Sequence, residues 1–121
     1  MNIKEQLYTR IENALKEAIA AGEMPETEYP LIKIEYPKES KFGDYSTPIA
    51  LESAKLIKRS PMETGEILKK YLMKEREIIG DIEIVKPGFI NIFISLEYLK
   101  KTVLHIIDVK KITGGVPKHI R

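Results

Sequence analysis

Phe89-Ile90-Asn91-Ile92-Phe93-Ile94 alternates two kinds of side chain over its whole length, and Lys86-Pro87-Gly88 stands directly before it. A strict period of two marks an extended strand, whose successive side chains point to opposite faces. Asp81 to Val85 is a second extended run on the other side of the Lys-Pro-Gly triplet. Proline and glycine favour a turn there, so the two runs predict an antiparallel hairpin. Ile90, Ile92 and Ile94 share one face. A hairpin with a wholly aliphatic face is not stable alone and needs further layers to cover it.

Helical patterns elsewhere in the chain supply that cover. Ile3, Leu7, Ile11, Leu15 and Ile19 recur every four residues, with Ala14 and Ala18 beside them. This spacing predicts an amphipathic helix from Ile3 to Ala21, with Gly22 as its stop. Thr47-Pro48 reads as a helix opening. The helix that follows runs to about Arg59, with Ile49, Ala50, Ala54 and Ile57 inward. Ser60-Pro61-Met62-Glu63 is a capping box for a third helix to about Arg76, with Ile67, Leu68, Tyr71 and Leu72 as core candidates. Ser95 caps a last helix, whose predicted buried side holds Leu96, Leu99, Val103, Ile106 and Ile107.

Two more strands are expected. Leu31 to Tyr36 alternates Ile32, Ile34 and Tyr36 against Lys33 and Glu35, and Phe42 to Thr47 holds a brief one. The predicted order is α-β-β-α-α-β-β-α. The expected fold class is therefore α+β: two layers, with a small antiparallel or mixed four-stranded sheet and helices on one face. Residues 1–109 form the expected domain. Residues 110–121, with Gly114-Gly115 and Pro117, read as a tail or linker stump.

Composition narrows the function. The chain has 121 residues, a net charge of +2 and no cysteine. Disulfides, thiolate zinc sites and cysteine nucleophiles are thereby excluded. No apolar run approaches the ~20 residues of a membrane span, and a cytoplasmic setting is expected. His105 and His119 are the only histidines, and they lack metal-ligand spacing. There is no phosphate-binding loop and no dinucleotide fingerprint. The carboxylates are scattered among lysines, so no catalytic residue and no metal site stands out.

If one face of the strand at 89–94 packs on helices, the other presents Phe89, Asn91 and Phe93, with Lys86 in the preceding turn. Aromatic rings stack on unpaired bases. An asparagine amide offers a donor and an acceptor to a base edge. A lysine beside them can meet phosphate. The same pattern also describes a strand buried on both faces. Phe42-Gly43-Asp44-Tyr45-Ser46 is a second candidate. Asp44 is expected to accept backbone N–H bonds in the turn, and Tyr45 and Lys41 to extend an RNA surface; a purely structural turn is the alternative. Lys55, Lys58, Arg59, Lys69 and Lys70 lie late in helical segments, where cations favour the dipole and a solvated face explains them. Lys100, Lys101, Lys110 and Lys111 carry the same ambiguity.

Two blocks together carry a resemblance. Phe42-Gly43-Asp44-Tyr45-Ser46-Thr47, followed by Ile49-Ala50 and Ala54-Lys55, resembles the first signature of the arginyl-tRNA synthetase N-terminal domain. Val85-Lys86-Pro87-Gly88-Phe89-Ile90-Asn91-Ile92-Phe93 resembles the second, in matching order and separation. The resemblance spans roughly Met1 to Ile107. It implies a domain that docks on the tRNA elbow and reads the D-loop through the hairpin turn and its following strand, here Lys86, Phe89 and Asn91. The implied partners are tRNA(Arg) and the catalytic domain of a full-length chain. Pro48 departs from the polar residue that the family often has. The HIGH-type and KMSKS-type motifs are absent, so the domain is expected to act without catalysis and without a cofactor, whereas a full enzyme of the family would use ATP and magnesium. The rival expectation is a protein- or domain-interaction module that uses the Phe89/Phe93 face.

Overall fold

The computed structural model describes residues 2–101. Helix α1 (Ile3–Ala20) starts at Asn2, whose side chain accepts a hydrogen bond from the Glu5 N–H. It ends as the glycine predicts. Gly22 adopts φ +78°; its N–H donates to Ile19 O at 3.0 Å and the Glu23 N–H to Ala18 O at 2.9 Å. This pair of bonds satisfies the last free carbonyls of the helix. Leu7, Ile11, Ala14, Leu15 and Ala18 form the buried stripe.

A short 3₁₀ turn (Ser40–Phe42) leads into strand β1 (Tyr45–Thr47). Helix α2 (Ile49–Ile57) begins one residue later than the Thr-Pro signal suggested: Pro48 occupies the cap position, and the Ile49 N–H donates to Thr47 Oγ1 at 3.3 Å. Helix α3 (Pro61–Leu72) opens on Ser60, whose Oγ accepts from the Glu63 N–H at 3.3 Å. Strands β2 (Ile79–Val85) and β3 (Phe89–Ile94) form the expected hairpin.

Among the described residues the sheet has three strands in the order β1-β3-β2, and both pairings are antiparallel. The α+β class holds, but the fourth strand does not form. Of residues 31–36 only Glu35 joins the sheet, through an isolated bridge to Ser46. Two causes are visible. Prolines at 30 and 37 bracket the segment and offer no N–H to a ladder. β1 is itself only three residues long, so its outer edge has little to pair with. Ile32 and Ile34 still pack against the core, as their alternation predicted. Tyr36, expected to face inward, is 68% exposed.

The core lies between α1–α3 and one face of the sheet. Ile82, Ile90, Ile92 and Ile94 meet Leu7, Ile11, Ile49, Leu68 and Leu72 there. Contact is close at Gly65, where an added Cβ would stand 2.7 Å from the Ile84 side chain.

Beyond β3, Ser95 caps a helical segment over 96–101, its Oγ accepting from the Tyr98 N–H at 3.1 Å. Tyr98 Oη accepts a hydrogen bond from the Gln6 side chain at 2.7 Å and is the residue that packs against the core. Leu96, predicted buried, is therefore 66% exposed, and Leu99 is also exposed. Val103, His105, Ile106, Ile107, His119, Lys110, Lys111 and the tail at 110–121 lie outside the described residues. Among the described residues, no helix is long and apolar enough to cross a membrane.

Candidate nucleic-acid interface

β3 is the central strand, and its parity separates two environments. Ile90, Ile92 and Ile94 are buried on the helix side. Phe89, Asn91 and Phe93 point to the other side, where Phe89 and Phe93 are half-buried and Asn91 is 5% exposed. Asn91 stands opposite Ser46 on β1 and Glu83 on β2.

That outer face is not uniform. On the β2 side Phe93 stands opposite Asp81, and Glu83 beside it is exposed. On the β1 side the segment around Glu35 folds over the sheet and leaves an open groove of about 510 Å³, with Phe42, Lys86, Phe89 and Asn91 among its lining residues. Tyr36 and Lys38 form its far wall. Lys38 and Lys86 bring cations to the groove, which Glu35 also lines, while the carboxylates of Asp81 and Glu83 lie along the opposite strand. The β1 side is thus the less acidic of the two and the less unfavourable to an anionic ligand.

The polar centre of the groove is a buried side-chain pair. Ser46 Oγ donates to Asn91 Oδ1 at 2.9 Å. The amide oxygen is thus already engaged, and Asn91 Nδ2 has no hydrogen-bond partner among the described residues. The Nδ2 group is not sealed in the protein and faces the open groove, where water or a ligand can accept from it.

Local chemistry fixes both flanks. Gly88 has φ +149°, and a Cβ there would lie 2.6 Å from Pro61 Cβ and 3.3 Å from Leu51 Cβ. Only glycine lets the turn that carries Lys86 and Phe89 settle on the corner between α2 and α3. Gly43, at φ +120°, also passes close to the Ile92 carbonyl, 3.0 Å from where its Cβ would be. The Asp44 N–H donates to Ile92 O at 2.9 Å, and the Ile94 N–H donates to Asp44 Oδ2 at 2.8 Å. Asp44 thus serves β3 across the sheet and not the turn in which it sits.

Lys86, Phe89 and Asn91 are brought together in the groove. Lys41 sits at its margin, with Nζ 5.2 Å from the Phe42 ring centroid and 3.2 Å from the Glu39 carboxylate. Tyr45 is placed elsewhere. It pairs with Ile92 and shares the helix-side face. Burial, with Tyr36, Asp44 and Tyr98 nearby, raises its phenol above the usual range. Tyr45 reaches the groove only indirectly, through its tilted ring contact with Tyr36 at 5.4 Å.

Sequence reasoning missed Tyr36, and although Phe42 and Ser46 lay within the second candidate block it gave neither a role of its own. Tyr36 looked like the inward end of a strand. Its position before Pro37 was the available sign that the strand ends there. Nothing local distinguishes Ser46, because its role depends on a partner 45 residues away.

Residues 5–94 match the family model described as arginyl tRNA synthetase N terminal domain. The chain belongs to the arginyl-tRNA synthetase N-terminal domain family. Curated relatives agree. The arginine–tRNA ligase of Listeria welshimeri is 36% identical over 104 residues, covering 85% of this chain and 19% of that ligase. The one of Staphylococcus carnosus is 36% identical over 119 residues, covering 97% of this chain and 21% of the ligase. The chain thus spans about a fifth of the length of the synthetases it matches. Two solved synthetases share the fold. That of Thermus thermophilus has a TM-score of 0.63 at 25% identity, over 85% of this chain and 16% of that one. That of Plasmodium falciparum has a TM-score of 0.68 at 18% identity, over 84% and 17%.

Proposed function

We propose that this domain binds the elbow of tRNA(Arg) through the D-loop and so helps to orient the tRNA for aminoacylation by a catalytic domain. Phe89 stacks on an unpaired base, the Asn91 amide hydrogen-bonds its edge, and Lys86 neutralises an adjacent phosphate. Lys41 adds a cation at the margin, and Tyr45 contributes by supporting Tyr36. The observation that carries this reading is the unpartnered Asn91 Nδ2 in a groove lined by aromatic rings and lysines. Sequence-specific RNA recognition uses such splayed bases, because their edges are free and their faces stack on aromatic side chains.

The domain's part is positional. Holding one end of a substrate fixes the geometry of its other end, which speeds the reaction without any chemistry in the domain itself. This recognition draws on no cofactor; ATP and magnesium would serve the catalytic domain of a complete cytoplasmic synthetase.

Amide NMR titration with an unmodified tRNA(Arg) transcript, at low and moderate salt, tests the proposal. The expected result is a set of shifts centred on residues 86–93 that weakens as salt rises, because phosphate contacts release counterions. Salt-insensitive binding, or shifts that avoid the groove, would overturn it and favour an apolar interface between proteins.

A further inference from the structure

We infer that Ser46 is the residue that sets the base preference of this groove, by locking the Asn91 amide with its NH₂ group towards the ligand. The inference rests on the RNA reading of the same groove. A side-chain amide has two ends of similar size and opposite hydrogen-bonding sense. Turned over, Asn91 would present an acceptor where it now presents a donor. Something must choose between the two orientations if the site is to prefer one base.

Ser46 makes the choice. It is the register partner of Asn91, so both side chains stand on the same face of the sheet. Ser46 is 8% exposed and Asn91 5%. The Ser46 backbone is fully engaged: its N–H donates to Glu35 O at 2.8 Å and its carbonyl accepts from the Glu35 N–H at 2.7 Å. The Ser46 hydroxyl has one partner among the described residues, Asn91 Oδ1 at 2.9 Å. Turned over, the amide would donate to Oγ instead, and the hydroxyl proton would have to find a new acceptor; among the described residues the hydroxyl has none besides Asn91 Oδ1. Loss of the existing hydrogen bond disfavours that state by up to about tenfold. The groove therefore offers a donor, and the ligand must offer a lone pair: a ring nitrogen or a carbonyl oxygen. An exocyclic amine or a ring N–H in that place would oppose two donors and be rejected. Ser46 is a positioning residue in this scheme, because it need not touch the RNA.

The test uses four unmodified tRNA(Arg) transcripts that differ only at the D-loop nucleotide which the wild-type protein protects from chemical probing. Dissociation constants are measured by fluorescence anisotropy for the wild type, S46A, S46T and N91D. The readout is the ratio of weakest to tightest Kd among the four transcripts, a quantity that loss of general fit would not selectively change. S46A is expected to reduce the ratio by about fivefold or more, with a smaller change in the tightest Kd. S46T keeps a hydroxyl and is expected to restore the ratio. N91D keeps the acceptor for Ser46 but replaces NH₂ by oxygen, so the preferred nucleotide should change. A wild-type ratio in S46A would overturn the role of Ser46 while leaving the groove as the RNA site. Should S46A unfold, N91D decides, and an unchanged preference would overturn the inference. A wild-type protein that binds no transcript, or all four alike, would instead overturn the RNA reading beneath it.

Discussion

The carboxylate of Asp44 accepts a hydrogen bond at 2.8 Å from the backbone N–H of Ile94, 50 residues further along the chain. Asp44 lies just before β1, and Ile94 closes β3. One side chain thus prolongs a three-residue strand by supplying an acceptor that a longer strand would take from its backbone. Asp44→Ala leaves the Ile94 N–H without this acceptor and should lower stability by about 1–3 kcal/mol. Asp44→Asn, which keeps an oxygen in place, should lose less. Urea denaturation of the two variants beside the wild type checks the order.

Gly88→Ala meets two obstacles together, the left-handed backbone and the Pro61 Cβ at 2.6 Å. Left-handed strain and overpacking each cost about 1–3 kcal/mol, so a loss of at least ~2 kcal/mol is expected. Because the turn carries Lys86 and Phe89, RNA affinity should fall as well. Thermal unfolding and a tRNA titration on the same sample measure both. Wild-type stability would show that the turn does not rest on the helix corner as described.

Lys58 ends α2 with φ 56°. A side chain in this left-handed conformation costs roughly 1 kcal/mol relative to glycine. Lys58→Gly should therefore raise stability, by about 0.5–1 kcal/mol after the greater flexibility of glycine in the unfolded chain is allowed for. A higher urea midpoint with an unchanged slope is the expected outcome.

Glu23 ties the loop after α1 to α3. Its carboxylate accepts hydrogen bonds from the Lys70 ammonium and the Tyr71 hydroxyl, and these bonds hold its pKa below the usual carboxylate value of 4.5. A carboxyl group depressed on folding stabilises the protein above its unfolded pKa, and this contribution is lost as pH falls through the folded value. The stability difference between wild type and Glu23→Gln should accordingly be constant near neutral pH and shrink below about pH 4.5. The same contact raises the Tyr71 pKa, so its contribution should be present at neutral pH and decline at alkaline pH. Denaturation midpoints across pH, measured for both proteins, test the two limbs.

For RNA binding, Lys86→Ala should reduce the slope of log K against log salt by about 1 and weaken all transcripts alike. Phe89→Ala should cost about 1–3 kcal/mol with little change in that slope, because stacking carries no counterion release. Equal slopes for wild type and Lys86→Ala would remove Lys86 from the phosphate contact.

The parts of the fold that were legible in the sequence depend on short-range periodicity. The four-residue repeat from Ile3 to Ile19 and the alternation from Phe89 to Ile94 each encode a single face, and both faces are where the patterns put them. The same alternation at Ile32 and Ile34 described burial correctly but not strand pairing. Pairing needs a partner edge, and β1 is too short to provide one. At Leu96 and Leu99 hydrophobicity was a poor guide, since the orientation of that segment follows from the Ser95 cap and the Gln6–Tyr98 bond. The site was half legible. Lys86, Phe89 and Asn91 are close in sequence, so strand parity groups them. Tyr45, in contrast, was grouped with them by type alone, and the register turns it to the helix side. Tyr36, Phe42 and Ser46 come from other segments, and only the folded chain brings them to the groove.

The two walls of that groove differ in how they are held. Lys86 and Phe89 stand on a turn seated against Pro61 and Leu51, whereas Tyr36 and Lys38 follow a segment that meets the sheet through the Glu35–Ser46 bridge and is held further by the contacts of Tyr36 with the Tyr45 ring and Lys4. One wall is thus set by close backbone packing and the other by side-chain contacts. Under the proposed function a base stacked on Phe89 would lie against the wall set by packing, and moving the opposite wall would cost the two backbone bonds of Glu35 together with the Tyr36–Tyr45 and Lys4–Tyr36 contacts.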